Sequence, residues 1–181
     1  MRKPTFRKLT LLQDKQEKVP LLFPANLTFR LAANCSLSFE VVMRKANLRP
    51  WGGDYMLLDG PTVVERKGSV NEVATNLLTA DRARQLASFD TLAANCKYPV
   101  LLMENSPTEF RPKMRVQRGP RRVILDAREA WDALLLAMRT RGIQLLVLGP
   151  ARTPVQRRNL GDRVLRLLVA DLLFENGYAQ K

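Results

Sequence analysis

The chain contains no histidine. Imidazole chemistry is thereby excluded within it: Ser-His-Asp hydrolysis, Cys-His proteolysis, His-rich zinc sites and His-pair ribonucleases all need a residue it lacks. Acid–base or metal chemistry falls to carboxylates and lysine. Cysteine is nearly as scarce, with Cys35 and Cys96 the only two. They are far apart and form no C-x-x-C pair, so two buried thiols in a reducing compartment are expected, not a zinc site or a disulfide framework. No apolar run approaches the roughly 20 residues needed to cross a bilayer. The basic start Met1-Arg2-Lys3-Pro4 is not followed by an apolar stretch of adequate length, so no secretory signal is expected. No acid precedes Asp14, which leaves a transit peptide open. The expectation is an intracellular protein, cytoplasmic or nucleoid-associated, with no membrane partner.

Acids are the third shortage. Seventeen Asp and Glu stand against thirty Lys and Arg, a formal net charge of +13 in 181 residues. A surplus of this size attracts polyanions, nucleic acid foremost. Apolar residues make up 46% and charged ones 26%, ordinary values for a folded protein. The length suits one domain or at most two small ones, and a single domain of this size hides about 70% of its unfolded surface.

The local patterns alternate between strand and helix. Lys8 to Gln13 and Ser38 to Arg44 read as strands, and Pro20 to Pro24 as an extended segment. Asp54 to Lys67 reads as a hairpin, DYMLL and TVVERK joined at Asp59-Gly60, two residues that tolerate positive φ. Helices are expected over Val70 to Leu78 and Ala80 to Ala94, the second with an apolar stripe of Ala83, Leu86, Ala87 and Leu92. Pro99 to Met103 is a continuous apolar run of the buried-strand kind, and Ile143 to Leu148 (IQLLVL) reads as another buried strand. Between them, Ser106 to Arg122 reads as a basic loop, followed by an amphipathic helix marked by Ala127, Trp131, Leu134, Leu135 and Met138. Thr153 to Asn176 is a long helix with Val164, Leu167, Leu168 and Leu172 on its apolar face. The alternation predicts an α/β fold with a mixed, helix-covered sheet.

The hairpin carries the chemistry. Asp54 stands on one strand and Glu65-Arg66-Lys67 on its neighbour. Alternation puts Glu65 and Lys67 on one face and Arg66 on the other. Two carboxylates hold a hard cation through oxygen, the cation activates water and polarises a phosphate, and an ammonium offsets charge on the phosphorane. Taken alone, D-x(10)-E-x-K also fits a solvated hairpin of alternating charges.

The surroundings of the triplet resemble a known family. Gly53-Asp54-Tyr55 followed by Val64-Glu65-Arg66-Lys67 is similar to the G-D…E-R-K signature of the XPF-type structure-specific endonucleases, members of the restriction-endonuclease-like superfamily. Upstream, Asp14-Lys15-Gln16-Glu17 through Pro20-Leu21-Leu22-Phe23 looks like that family's D-x-R-E-x-x-P-L-x-F strand. Downstream, Tyr98-Pro99 through Glu104 looks like its P-hydrophobic-E strand. The resemblance implies a single nuclease domain over 1–181: a motif-bearing core at about 8–105, the basic loop at about 106–122 and a closing helix-strand-helix at about 123–177. It implies Asp54 and Glu65 as ligands of Mg²⁺ (or Mn²⁺), Lys67 as the catalytic lysine and Arg66 as a DNA-contacting or bracing residue. Asp14 and Glu17 become first-strand acids lining the metal site. Two positions depart from the family pattern: Gln16 replaces its Arg, and Asn71 replaces an Asp that the adjacent Glu72 could supply.

DNA contacts are expected at Arg82 and Arg84 and at the basic loop, through Arg111, Lys113, Arg115, Arg118, Arg121 and Arg122. Contacts of that kind recognise phosphates, and hence DNA shape, before base sequence. The resemblance implies hydrolysis of phosphodiester bonds at branched or flapped DNA or at single-strand/double-strand junctions, in repair, recombination or replication. It also implies pairing through nuclease domains as a homodimer or heterodimer, with Leu173 and Phe174 offering an apolar face. Two other readings stay open: a catalytically weak DNA-binding subunit that needs a nuclease partner, and a basic RNA-binding protein.

Overall fold

A computed structural model describes residues 7–32, 35–118 and 121–178. The chain begins with β1 (Lys8–Asp14), β2 (Asn26–Ala32), β3 (Cys35–Ala46), β4 (Tyr55–Leu57) and β5 (Thr62–Lys67). Helices α1 (Val70–Leu78) and α2 (Arg82–Asn95) lead to β6 (Tyr98–Met103), then β7 (Met114–Arg118) and β8 (Arg121–Leu125). It closes with α3 (Ala127–Arg141), β9 (Gln144–Val147) and α4 (Pro154–Glu175). The main sheet has the strand order β2-β3-β1-β4-β5-β6-β9, and β7 and β8 form a separate ribbon. The sheet is mixed: β1–β3 and β6–β9 run parallel, β1–β4 and β2–β3 antiparallel. Residues divide into two compact units, 1–63 with 151–181, and 64–150.

In the first unit β1 lies between β3 and β4, and its apolar alternation buries Leu9 and Leu11. Tyr55, Met56 and Leu57 of β4 are all buried, so this short strand is covered on both faces. The Leu21 amide donates to Tyr55 Oη at 2.9 Å, and Phe23 packs against the Tyr55 ring with centroids 5.3 Å apart. These contacts hold the extended Pro20–Pro24 segment. That segment passes α4 at Gly161, where a Cβ would sit 2.2 Å from the Leu22 carbonyl oxygen. α4 starts on a Thr153 cap with a reciprocal Gln156 contact. At the turn before β5, Asp59 takes the left-handed conformation (φ 60°). Gly60 is needed there for space instead, since a Cβ would lie 3.0 Å from Leu57 Cβ.

In the second unit β6 is buried along almost its whole length and pairs with β9. α1, α2 and α3 pack on one another through Val73, Ala74, Leu77, Phe89, Leu92, Leu134 and Met138. Arg141 closes the α3 end on Asp90 at 2.7 Å, and Phe110 packs on Trp131 with centroids 5.0 Å apart.

Several expectations are corrected. The basic stretch at 106–122 is not a loop: a short helical turn at Pro107–Glu109 leads into β7, and β7 and β8 pair from Met114↔Leu125 to Arg118↔Arg121. The strand β2 was hidden in a run broken by Asn26, Thr28 and Arg30, and forms by pairing with β3. On α2 the buried face is Gln85, Phe89 and Leu92, whereas Ala83 and Ala87 are exposed. One phenylalanine removes more apolar area from water than two alanines, so Phe89 sets the rotation. Leu135 is exposed, and β9 is only half-buried, as an outermost strand of the sheet order should be. Cys35 and Cys96 form no disulfide, and both are half-buried where burial was expected. On α4 Leu173 belongs to the core while Phe174 is exposed, which removes half of the suggested pairing face. No helix among the described residues is long and apolar enough to cross a membrane.

Candidate functional site

In the second unit, the sequence V-E-R-K at the end of β5 places its side chains as strand alternation requires. Glu65 and Lys67 face one way, with Lys67 Nζ 2.7 Å from Glu65 Oε1. Arg66 faces the other way and donates through Nε to Glu104 Oε1. The chain then leaves β5 through Gly68 into Ser69, whose hydroxyl accepts the Glu72 amide and caps α1. This cap fixes Glu72 on the third residue of the helix. From there its Oε1 reaches Lys67 Nζ at 3.3 Å, while its Oε2 accepts the Gly68 amide at 3.2 Å. Asn71, which stands where the family pattern has its acid, is exposed.

Lys67 is buried between two carboxylates. Burial alone would pull its ammonium pKa down, but Glu65 and Glu72 outweigh that and hold it above the ordinary lysine value. The lysine is therefore a fixed positive charge and not a proton acceptor at neutral pH. On the opposite face the Arg66–Glu104 pair is deeply buried, with side chains 8% and 5% exposed. The Glu104 amide donates to the Lys67 carbonyl at 3.1 Å, so the ends of β5 and β6 are tied together where both charges sit.

The first unit holds the other acids. Asp14, at the end of β1, is 4% exposed. Its Oδ2 accepts the Leu48 amide at 2.7 Å and its Oδ1 the Gln16 amide at 2.6 Å. Its carboxylate thus braces the turn that starts at Leu48. Glu17 accepts the Val19 amide at 3.1 Å. Asp54 is half-buried immediately before β4, and its carbonyl accepts the Asp14 amide at 2.8 Å. Gln16 holds the guanidinium of Arg49, Nη2 to Oε1 at 2.8 Å.

The expected DNA contacts are spread out. Arg82 is exposed and lines a groove of about 530 Å³ together with Leu77, Ile124, Asp126 and Glu129. Arg84 is exposed beside Asp81 at 3.6 Å. Arg111, Lys113 and Arg115 are exposed at the start of the β7–β8 ribbon. Arg118, Arg121 and Arg122 lie on its strands by backbone, and their side chains are outside the described residues.

The sequence shows Glu104 only as the acid closing an apolar strand and does not assign it to the site. It offers Glu72 as a stand-in at the Asn71 position, and the S-x-x-E pattern Ser69 to Glu72 is the signal that a cap aims it back at β5. Among the described residues no group of three or more Asp, Glu or Cys side chains is gathered as a ready metal cage. The donors present are carboxylates, which suit a hard cation. Mg²⁺ is commonly held by one or two carboxylates, with water and phosphate oxygens completing the shell. The residues therefore fit such an ion by donor chemistry.

No family model and no curated protein matches the chain. Among solved structures it is similar to XPF from Aeropyrum pernix, with a TM-score of 0.51 and 20% identity, over 92% of this chain and 68% of that one. It is likewise similar to XPF from Aeropyrum pernix in complex with DNA, with a TM-score of 0.51 and 19% identity, over 90% of this chain and 66% of that one. The likeness speaks for the fold, a mixed sheet flanked by helices shared with these structures.

Proposed function

We propose that the chain is a DNA nuclease domain that hydrolyses phosphodiester bonds at branched or flapped DNA with the help of Mg²⁺ or Mn²⁺. The observation that carries this reading is the buried Lys67 ammonium held by Glu65 and Glu72 at the end of β5. A formal net charge of +13 and the exposed Arg111, Lys113 and Arg115 at the start of the ribbon support a polyanionic partner. A two-stranded ribbon is also an element that fits a DNA groove.

In this reading Asp54 and Glu65 would hold the cation, and its chemistry would be to polarise the phosphate and lower the pKa of bound water. Lys67 stays protonated and offsets negative charge developing on the phosphate oxygens, an electrostatic role. Glu72 shares the lysine with Glu65 and keeps its ammonium aimed. Arg66 and Glu104 brace the strand ends on the far face. Arg111, Lys113 and Arg115 bind phosphates.

Labelled flap, fork, four-way junction and plain duplex substrates, each with Mg²⁺, Mn²⁺ or EDTA, test the reading. Cutting of branched substrates that disappears in EDTA and in Asp54→Asn is the expected result. Salt-sensitive binding without cutting under any condition would favour a second reading, the DNA-binding subunit that needs a nuclease partner. Two observations speak for that alternative: both Asp14 oxygens are engaged by backbone amides, and Gln16 is neutral.

A further inference from the structure

We propose that the turn Arg49–Trp51 is a docking point for an unpaired nucleotide, with the Trp51 indole stacking on the base and Arg49 holding a phosphate. This deepens the nuclease reading and rests on it for the substrate class. Trp51 is 37% exposed, and no aromatic ring packs on it among the described residues.

The turn is built to hold that ring still. Leu48, fully buried, anchors it, and the Leu48 amide is taken by the buried Asp14 carboxylate at 2.7 Å. The amides of Trp51 and Gly52 both return to the Leu48 carbonyl, at 2.9 and 3.1 Å. Gly52 takes a left-handed conformation (φ 69°), which ends the turn and sends the chain through Gly53 and Asp54 into β4. An exposed tryptophan is thus fixed three residues from Asp54.

The charge beside it is equally prepared. Arg49 Nη2 is held by the neutral Gln16 oxygen, and among the described residues no carboxylate pairs with Arg49. Arg44 and Lys45 near the end of β3, and Lys15 just after β1, are exposed and without an ion-pair partner among the described residues. A fixed indole in the same turn as a guanidinium without a carboxylate partner offers stacking and phosphate contact together, the combination that binds single strands. A duplex keeps its bases stacked inside and can use only the charges.

The test uses the full chain with Trp131→Phe, which leaves Trp51 as the sole tryptophan emitter and keeps a ring against Phe110. Oligodeoxythymidine should quench Trp51 fluorescence, and blunt duplex should bind without quenching it. Trp51→Leu should weaken oligodeoxythymidine binding about tenfold or more and leave duplex binding unchanged. Arg49→Gln should weaken both and lower the salt slope by about 1. If Trp131→Phe fails to fold, the difference between parent and Trp51→Leu spectra carries the same signal. Equal affinity of Trp51→Leu and parent for the oligonucleotide overturns the proposal. Flap cleavage without a Trp51 response would overturn it and leave the nuclease reading standing. A Trp51 response without cleavage would do the reverse. Absence of any nucleic-acid binding, with or without capture of a protein partner, would remove both.

Discussion

Arg66 and Glu104 form a buried ion pair whose energetics can be isolated from catalysis. Arg66→Met leaves the Glu104 carboxylate, 5% exposed, without its guanidinium. Breaking such a pair from one side costs about 3–5 kcal/mol, because an uncompensated charge stays out of water. With a urea m-value of about 2.5 kcal/mol/M, the upper part of the small-protein range, the midpoint should fall by about 1–2 M. Glu104→Leu should cost a similar amount by stranding Arg66. Replacing both strands no charge, so the double variant should lie far closer to the parent than the sum of the singles.

Urea titrations of all four proteins make the cycle. Single costs that add to within about 0.5 kcal/mol would refute the buried-pair reasoning. The double variant also settles what Arg66 does: cleavage retained means bracing alone, and cleavage lost in a stable protein means a further role toward DNA.

Lys67→Ala should lower the cleavage rate by about 10²–10³ while DNA affinity stays within about twofold, measured by single-turnover kinetics and filter binding. Because Glu65 and Glu72 raise the Lys67 pKa, its ion pairs should persist as pH rises past the ordinary lysine value, giving no lysine-dependent alkaline loss of rate up to that point. Asp171 is pushed up by burial against the lowering hydrogen bond from Thr62 Oγ1, 2.6 Å away, with Glu175 adding to the rise. A raised carboxyl pKa favours the fold at low pH, so Asp171→Asn should raise Tm modestly at pH 7, with the difference vanishing by about pH 3. Gly161→Ala gains about 1 kcal/mol of helix propensity, yet its Cβ would meet the Leu22 carbonyl at 2.2 Å. Overpacking against backbone should win, for a net loss of about 1–2 kcal/mol in denaturant titration.

Much of this fold was legible because its local signals agreed. The hairpin with Asp59 at its turn, the Thr153-capped helix and the continuous apolar run of β6 each had one reading that both pattern and packing satisfy. The ribbon was not legible, since Pro112, Gly119 and Pro120 punctuate a stretch whose strands are held by pairing with each other. β2 failed for the same reason, as it is defined by β3. Strand pairing is a long-range property that a single segment does not announce.

The charged residues divide along the same line. Glu65 and Lys67 are two apart on one strand, so their shared face followed from alternation alone. Glu104 lies 38 residues from Arg66, and only the fold brings them together. Asp14 is the instructive case. As an acid in a strand-ending motif it reads as a metal ligand, but the structure gives both its oxygens to amides of Gln16 and Leu48. An acid so engaged can still serve a metal site indirectly, by fixing the turn from which Gly53 and Asp54 enter β4. Asp14→Asn separates the two roles, because the amide keeps one acceptor for the turn and removes the negative charge. Cleavage lost with an unchanged Mg²⁺ midpoint and an unchanged Tm would refute positioning of the turn as its role. A lowered Tm with a loosened Trp51 emission would establish it.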